Sequence, residues 1–273
     1  MDAEAISKEN VALRTVTATR YVTPLREGGS LPAIVEADDD GIYVLKFRGA
    51  GQGPKALIAE LVVGQIARVL GLRVPELVFI ELDPVLGSNE PDSEIRALIK
   101  ASAGLNLALD YLPGAITFDP LVPRPVAQEP GLASAIVWLD AYTTNVDRSA
   151  RNTNMLVWHQ RLWLIDHGAA LYFHHSWDAY MERSQSPFPQ IKDHVLLPWA
   201  DALLEVDAAL AQRLTPEIIT YIIELIPDGW LTDAPQFASL QEHRAAYVTY
   251  LLKRLELPRS FVEEAHHARQ MHV

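Results

Sequence analysis

Along the chain, residues 11–21, 32–36 and 42–47 are short runs rich in β-branched, aromatic and other apolar positions, and they read as three strands. The stretches between them, Arg26-Glu27-Gly28-Gly29-Ser30 and Asp38-Asp39-Asp40-Gly41, are turn-forming. From Pro54 the spacing becomes helical in PKALIAELVVGQIARVLGL, with proline near its start and Gly71 near its end. Strands are predicted again over 77–82, 95–100 and 106–112. The proline-rich stretch LPGAITFDPLVPRPVAQEPG follows, and it marks the expected boundary between an N-terminal lobe, 1–112, and a C-terminal lobe, 113–273. Beyond it, helices are predicted over 132–144 and near 199–213, 216–226, 236–255 and 260–269. A hairpin of 155–158 and 162–165, joined by His159-Gln160-Arg161, falls among them. A sheet-rich first part followed by a helical second part belongs to the α+β class.

Against this pattern a few polar residues stand out. Tyr43, Leu45 and Phe47 share one face of their strand, so Lys46 shares the other with Ile42 and Val44, an apolar face. Glu60 has Leu57, Val63 and Ala67 at helical spacing and therefore lies on an apolar stripe. Two readings are open. The charges meet, because a lone buried charge costs roughly several kcal/mol, or both side chains snorkel to solvent from the lobe edges. Asp147 and Asn152 lie in the loop before the hairpin, and Asp166 follows it and precedes Gly168. The outer ends of a paired ribbon are close in space, so an aspartate and the asparagine can hold a metal ion while the other aspartate meets a substrate. Taken singly, the same residues fit a loop cap, a turn and a strand terminator. Gly28 and Gly29 can bring backbone amides to phosphate oxygens, or form only a hairpin turn. Arg148 and Arg151 read either as anion contacts or as solvated loop arginines, and His174-His175, which lack a metal-binding spacing, as surface histidines.

Composition narrows the picture. A chain of 273 residues with 49% hydrophobic content can bury a sizeable core. A formal net charge of -12 argues against general capture of nucleic acid or of an anionic membrane. The absence of cysteine excludes disulfides, thiolate metal sites and cysteine nucleophiles. The sequence has no apolar run of membrane-spanning length. MDAEAISKENVALR lacks the basic start of a signal peptide, and a cytoplasmic location is expected.

The order of glycine loop, strand lysine, helix glutamate, D-x-x-x-x-N and D-x-G resembles the protein-kinase-like fold. NVDRSARNTNML, LIDHGAAL and LALDYLPGA resemble the HipA-like kinases of bacteria, over residues 20–190. Asn145-Val146-Asp147 stands in place of HRD and Asp166-His167-Gly168 in place of DFG, which favours this branch over eukaryotic-type kinases. The chain resembles an isolated kinase core, without the additional N-terminal domain of HipA toxins.

The resemblance implies a bilobal fold with an antiparallel sheet plus one helix in the N-lobe and a mostly helical C-lobe. It implies ATP and Mg²⁺ as well. Asp147 would then orient or deprotonate an acceptor hydroxyl, and Asn152 and Asp166 would hold Mg²⁺. Lys46 would grip the α/β-phosphates, Glu60 would orient Lys46, and Gly28, Gly29 and Ser30 would cover the phosphates. Adenine would lie between the lobes, its edge bonded to backbone within Leu109, Asp110, Tyr111 and Leu112 and its faces against apolar residues. The implied acceptor is a protein Ser/Thr hydroxyl or a small molecule, and the implied partner is an antitoxin-like protein. The presence of Lys46, Asp147, Asn152 and Asp166 together disfavours a pseudokinase or nucleotide-dependent binding module. A small-molecule kinase and a protein adenylyltransferase are alternatives on the same fold. Ser30, within the glycine loop, is either a site of self-phosphorylation or a turn residue.

Overall fold

The computed structural model describes residues 12–25, 31–51, 53–122, 126, 128–232 and 234–272. Its first five strands close into a barrel: β1 (Thr15–Pro24), β2 (Ala33–Ala37), β3 (Ile42–Lys46), β4 (Leu77–Leu82) and β5 (Gly104–Asp110), in the order β1-β2-β3-β5-β4. The expected antiparallel sheet needs one correction. β1 runs parallel to β4, with Thr15 opposite Phe79 and Thr17 opposite Glu81, whereas the other pairs are antiparallel. That parallel pair closes the ring, which leaves no unpaired sheet edge.

Strand alternation then decides what faces where. Tyr43 and Leu45 of β3 pack inside the barrel with Val16, Val35, Val78, Ile80 and Ala108. Lys46, opposite Leu107 of β5, lies on the outer face, which is covered by α1 (Pro54–Val69). Every residue of α1 from Leu57 to Ala67 is buried, so this helix is enclosed on all sides and is not merely an amphipathic surface helix.

The strand predicted over 95–100 is a helix, α2 (Ser93–Ala101), so the described residues of the first part of the chain hold two α-helices where one was expected. Asp92 caps it by accepting from the Glu94 N–H at 2.9 Å. Ile95 and Ile99, with Leu98 beside them, pack against the barrel core. Their i, i+3, i+4 spacing is helical, and the apolar run alone concealed it.

The hairpin forms as predicted: β6 (Ile116–Thr117), β7 (Met155–Trp158) and β8 (Arg161–Leu164) make a three-stranded antiparallel sheet. Its turn is shorter than expected because Arg161 pairs with Trp158. His159 and Gln160 alone make the turn, both at positive φ (47° and 61°). The remaining helices are α3 (Leu132–Tyr142), α4 (Tyr180–Arg183), α5 (Leu203–Arg213), α6 (Pro216–Glu224), α7 (Leu240–Leu255) and α8 (Ser260–His272). A single apolar core runs from α1 through α3 to α8, separate from the barrel interior. Among the described residues no helix is long and apolar enough to cross a membrane.

The end of α3 delivers the chain to the Asp147 loop, and a buried arginine fixes that end. Arg254 of α7 donates Nε to the Tyr142 carbonyl (2.8 Å) and Nη2 to that of Ala141 (2.9 Å). Its Nη1 meets the carbonyls of Ser184 and Ser186, each at 2.9 Å. A cation placed there satisfies carbonyls that the helix leaves unpaired and complements the helix dipole. Arg254→Met is therefore expected to lower stability by about 2–4 kcal/mol, through loss of charged hydrogen bonds to buried carbonyls. Equilibrium denaturation checks this, and an unchanged midpoint would show that Arg254 does not hold the helix end.

Candidate active site

The ammonium of Lys46 is 2.7 Å from Asp166 Oδ1 and 3.8 Å from Glu60 Oε2. The side chains of Lys46 and Glu60 are only 12% and 2% exposed, so the two charges meet and neither snorkels to solvent. Burial pulls the Lys46 pKa down, but Glu60 and Asp166 outweigh it and hold it above the ordinary lysine value. Burial likewise pushes Glu60 up, and Lys46 and His167 overcome this and keep it well below the usual carboxylate range.

Glu60 joins two segments. While one oxygen faces Lys46, the same Oε2 accepts the backbone N–H of His167 at 2.8 Å, and Oε1 lies 3.3 Å from His167 Nδ1. Asp166 takes a left-handed backbone (φ 55°), a conformation that Asp tolerates better than most residues. Its side chain thereby reaches Lys46 while the next N–H reaches Glu60. Sequence reasoning missed His167, whose main-chain bond leaves no compositional trace.

Asp147 reaches the same place from the loop after α3. Its N–H donates to Asn145 Oδ1 (3.1 Å), and its Oδ2 accepts from Asn152 Nδ2 (2.9 Å). Asn154 also contacts both acidic residues: Nδ2 is 3.3 Å from Asp147 Oδ2 and 3.4 Å from the Asp166 carbonyl. The Ile165 N–H donates to the Asn154 carbonyl (3.1 Å), which brings the two outer ends of the hairpin side by side as expected. Arg148 is neither solvated nor free to meet an anion. It is fully buried, with Nε 2.6 Å from Asp140 Oδ2 and Nη1 bonded to the Asn154 carbonyl. Arg151 is exposed.

An open cavity of about 230 Å³ gathers Lys46, Glu60, Asp147, Asp166 and Gly168. Its other wall comes from the β3–α1 connection, where Phe47, Ala50 and Gly51 line it together with Ala56 and Leu57 of α1. Sequence reasoning passed over that connection, although alternate glycines ahead of Pro54, in RGAGQGP, signal a turn; Gly51 and Gly53 are at positive φ (49° and 65°). Gly28, Gly29 and Ser30 lie outside the described residues. Leu109, Asp110, Tyr111 and Leu112 do not line this cavity, and the N–H groups of Asp110 and Tyr111 already donate to the carbonyls of Glu76 (2.8 Å) and Ile42 (3.0 Å). His174 is not a surface residue. It is buried in an aromatic cluster, with Nδ1 3.0 Å from the Tyr247 hydroxyl, beside Phe173 stacked on Tyr250.

Comparison with known proteins gives a family and a fold. A family profile described as "HipA-like kinase" matches residues 19–263. No curated protein matches the sequence. Among solved structures, the Helicobacter pylori proinflammatory kinase CtkA aligns with a TM-score of 0.54 at 14% identity, covering 94% of this chain and 99% of that one. The Golgi casein kinase aligns with a TM-score of 0.50 at 12% identity, covering 96% and 76%. At such identities the likeness is one of fold, a kinase-like fold.

The depressed pKa of Glu60 makes a stability prediction with a definite sign. A carboxylate held below its unfolded value of 4.5 contributes fully above that pH and loses its contribution as pH falls below it. Glu60→Gln is expected to cost roughly 3 kcal/mol at neutral pH, the lower end for breaking a buried pair, since Lys46 keeps Asp166. The gap between the two proteins should narrow as pH falls below the ordinary carboxylate range. Denaturation midpoints between pH 7 and pH 3 measure it, and a gap independent of pH would contradict the charge assignment.

Proposed function

We propose, from the premise that the chain belongs to the HipA-like kinase family, that it transfers the γ-phosphate of ATP to a hydroxyl group, most naturally that of a protein Ser or Thr. The observation that carries this reading is the convergence of Lys46, Asp147 and Asp166 on one cavity, from positions as far as 120 residues apart. A pseudokinase would not require all three together with Asn152.

The roles follow from the chemistry of phosphoryl transfer, in which positioning and charge neutralisation do most of the work. Lys46, kept charged by Glu60 and Asp166, would turn from Asp166 to the α/β-phosphates. Asp147 would accept the hydrogen bond of the acceptor hydroxyl and take its proton as the new O–P bond forms and ADP leaves. The Asn152 amide steadies that carboxylate.

The donor set also fits Mg²⁺. Lys46 shares the cavity with three carboxylates, those of Glu60, Asp147 and Asp166, and a bound triphosphate adds further negative charge, so the site calls for a hard cation. Asp166, with its side chain 37% exposed, and Asn152, whose amide oxygen is left by the Nδ2 bond to Asp147, supply two oxygen donors. Mg²⁺ is usually held by one or two such groups together with phosphate and water, and here it would supply neutralisation of charge on the β/γ-phosphates.

Two outcomes test the assignment. Asp147→Asn should abolish phosphate transfer while leaving the ATP-induced thermal shift nearly intact; near-parental transfer by this variant would exclude Asp147 as the group facing the acceptor. Separately, Asn152→Ala and Asp166→Ala should reduce the Mg²⁺-dependent part of the thermal shift with ATP, because ligand binding raises apparent stability through linkage. Thermal shifts equal to the parent in both variants would remove these residues as metal ligands.

A further inference from the structure

A buried polar cluster behind the cavity holds the loop that carries Asp147. The carboxylate of Asp140, on α3, is fully buried. Its Oδ1 accepts from Asn145 Nδ2 (2.9 Å), and its Oδ2 accepts from both Arg148 Nε (2.6 Å) and His194 Nε2 (2.9 Å). His194 Nδ1 accepts from the Leu196 N–H (3.0 Å), so Nε2 carries the ring proton and the ring is a neutral donor, an assignment made from the hydrogen-bond network. The main chain doubles the link: Ser149 and His194 form an antiparallel bridge, and the Val195 N–H donates to the Arg148 carbonyl at 3.0 Å.

From Asp140 two paths lead to Asp147. One runs through Asn145 to the Asp147 N–H (3.1 Å), and the other through Arg148 and the Asn154 carbonyl, with Asn154 Nδ2 3.3 Å from Asp147 Oδ2. We propose that His194 is a positioning residue for phosphate transfer: by sharing Asp140 Oδ2 with Arg148 it fixes the buried anion around which the Asp147 loop is built. This rests on the reading of Asp147 given above only for its effect on turnover.

Burial disfavours the Asp140 carboxylate, and Arg148 and His194 more than compensate, so its pKa lies below the ordinary range. Taking away the His194 donor leaves a buried lone pair unmet. The strain then passes to the element that yields most easily. Helix α3 is locked by Trp138 and Tyr142 against Phe261, whereas residues 150–152 of the loop are exposed. A loop displacement of ~1 Å can cost on the order of a hundredfold in rate.

Three substitutions separate the contacts. His194→Gln places an amide nitrogen near the Nε2 position and restores the donor to Asp140. His194→Asn places an amide oxygen near Nδ1 and restores only the acceptor for Leu196, and His194→Ala restores neither. Hydrogen exchange followed by mass spectrometry is measured on the full chain without nucleotide, and ATP turnover is measured with dephosphorylated casein as acceptor. In His194→Ala, exchange over residues 145–154 should rise by about tenfold while α3 stays protected. Its kcat should fall by about ten- to a hundredfold, with the KM for ATP within about twofold of the parent. His194→Gln should recover most of both effects and His194→Asn neither. Unchanged loop exchange in His194→Ala, a uniform rise across the chain in all three variants, or equal rescue by Asn and Gln would overturn the proposal. If His194→Ala does not fold, the comparison of Gln with Asn decides. If the parent transfers no phosphate to casein or to any component of a cell lysate while the exchange pattern holds, the phosphotransfer reading fails and the positioning of the loop stands.

Discussion

The burial of two opposite charges, Lys46 and Glu60, is the constraint on which the site is built. Neither could be held in an apolar interior alone, since isolated buried ions are too costly, so their elements must come together. Lys46 stands on the outer face of β3 because the opposite face fills the barrel, and Glu60 stands on α1 because that helix covers the outer face. Glu60 then has oxygens to spare, and it uses them on the backbone N–H and ring of His167. One carboxylate thus ties the barrel, the enclosed helix and the Asp166 turn into a single unit.

A second buried carboxylate performs the same task on the other side of the cavity. Asp140 organises the Asp147 loop as Glu60 organises the Asp166 turn, and Asn154 bridges the two by contacting the Asp147 carboxylate and the Asp166 carbonyl. Asp147 and Asp166 are the less buried members of the arrangement, and Glu60 and Asp140, which hold their segments, are the most buried. This division suits the proposed phosphoryl transfer, where geometry must be set before the substrate arrives while the reacting groups stay open to it.

Much of this was legible in the sequence. The two faces of a strand over 42–47 put Lys46 on the apolar face shared with Ile42 and Val44, the helical spacing from Pro54 put Glu60 on an apolar stripe, and the hairpin signal put Asp147, Asn152 and Asp166 at the neighbouring outer ends of a ribbon, while whether Lys46 and Glu60 meet was left open. The segment 95–100 was misread because a short apolar run does not distinguish strand from helix, and the capping Asp92 was the overlooked arbiter. Arg148 was misread for a different reason. A guanidinium in a polar loop looks solvated until its partner is known, and that partner, Asp140, sits within an apolar helix where only tertiary structure reveals its use. His194 and His167 act through pairings that arise only when segments distant in sequence pack together. The barrel closure by β1 and β4 was beyond reach as well, because apolar runs between turn signals predict strands but not the order in which they pair.

Whether this site moves the terminal phosphate of ATP onto a hydroxyl group is decided by parallel incubations with ATP labelled at the γ-phosphate and at the α-phosphate, each with Mg²⁺ and a heat-inactivated cell lysate, with Asp147→Asn as the control. Protein-bound label is expected from γ-labelled ATP alone, absent when Mg²⁺ is chelated and absent in the control. Label transferred from the α-phosphate, or γ-label that persists in Asp147→Asn, would contradict such a transfer.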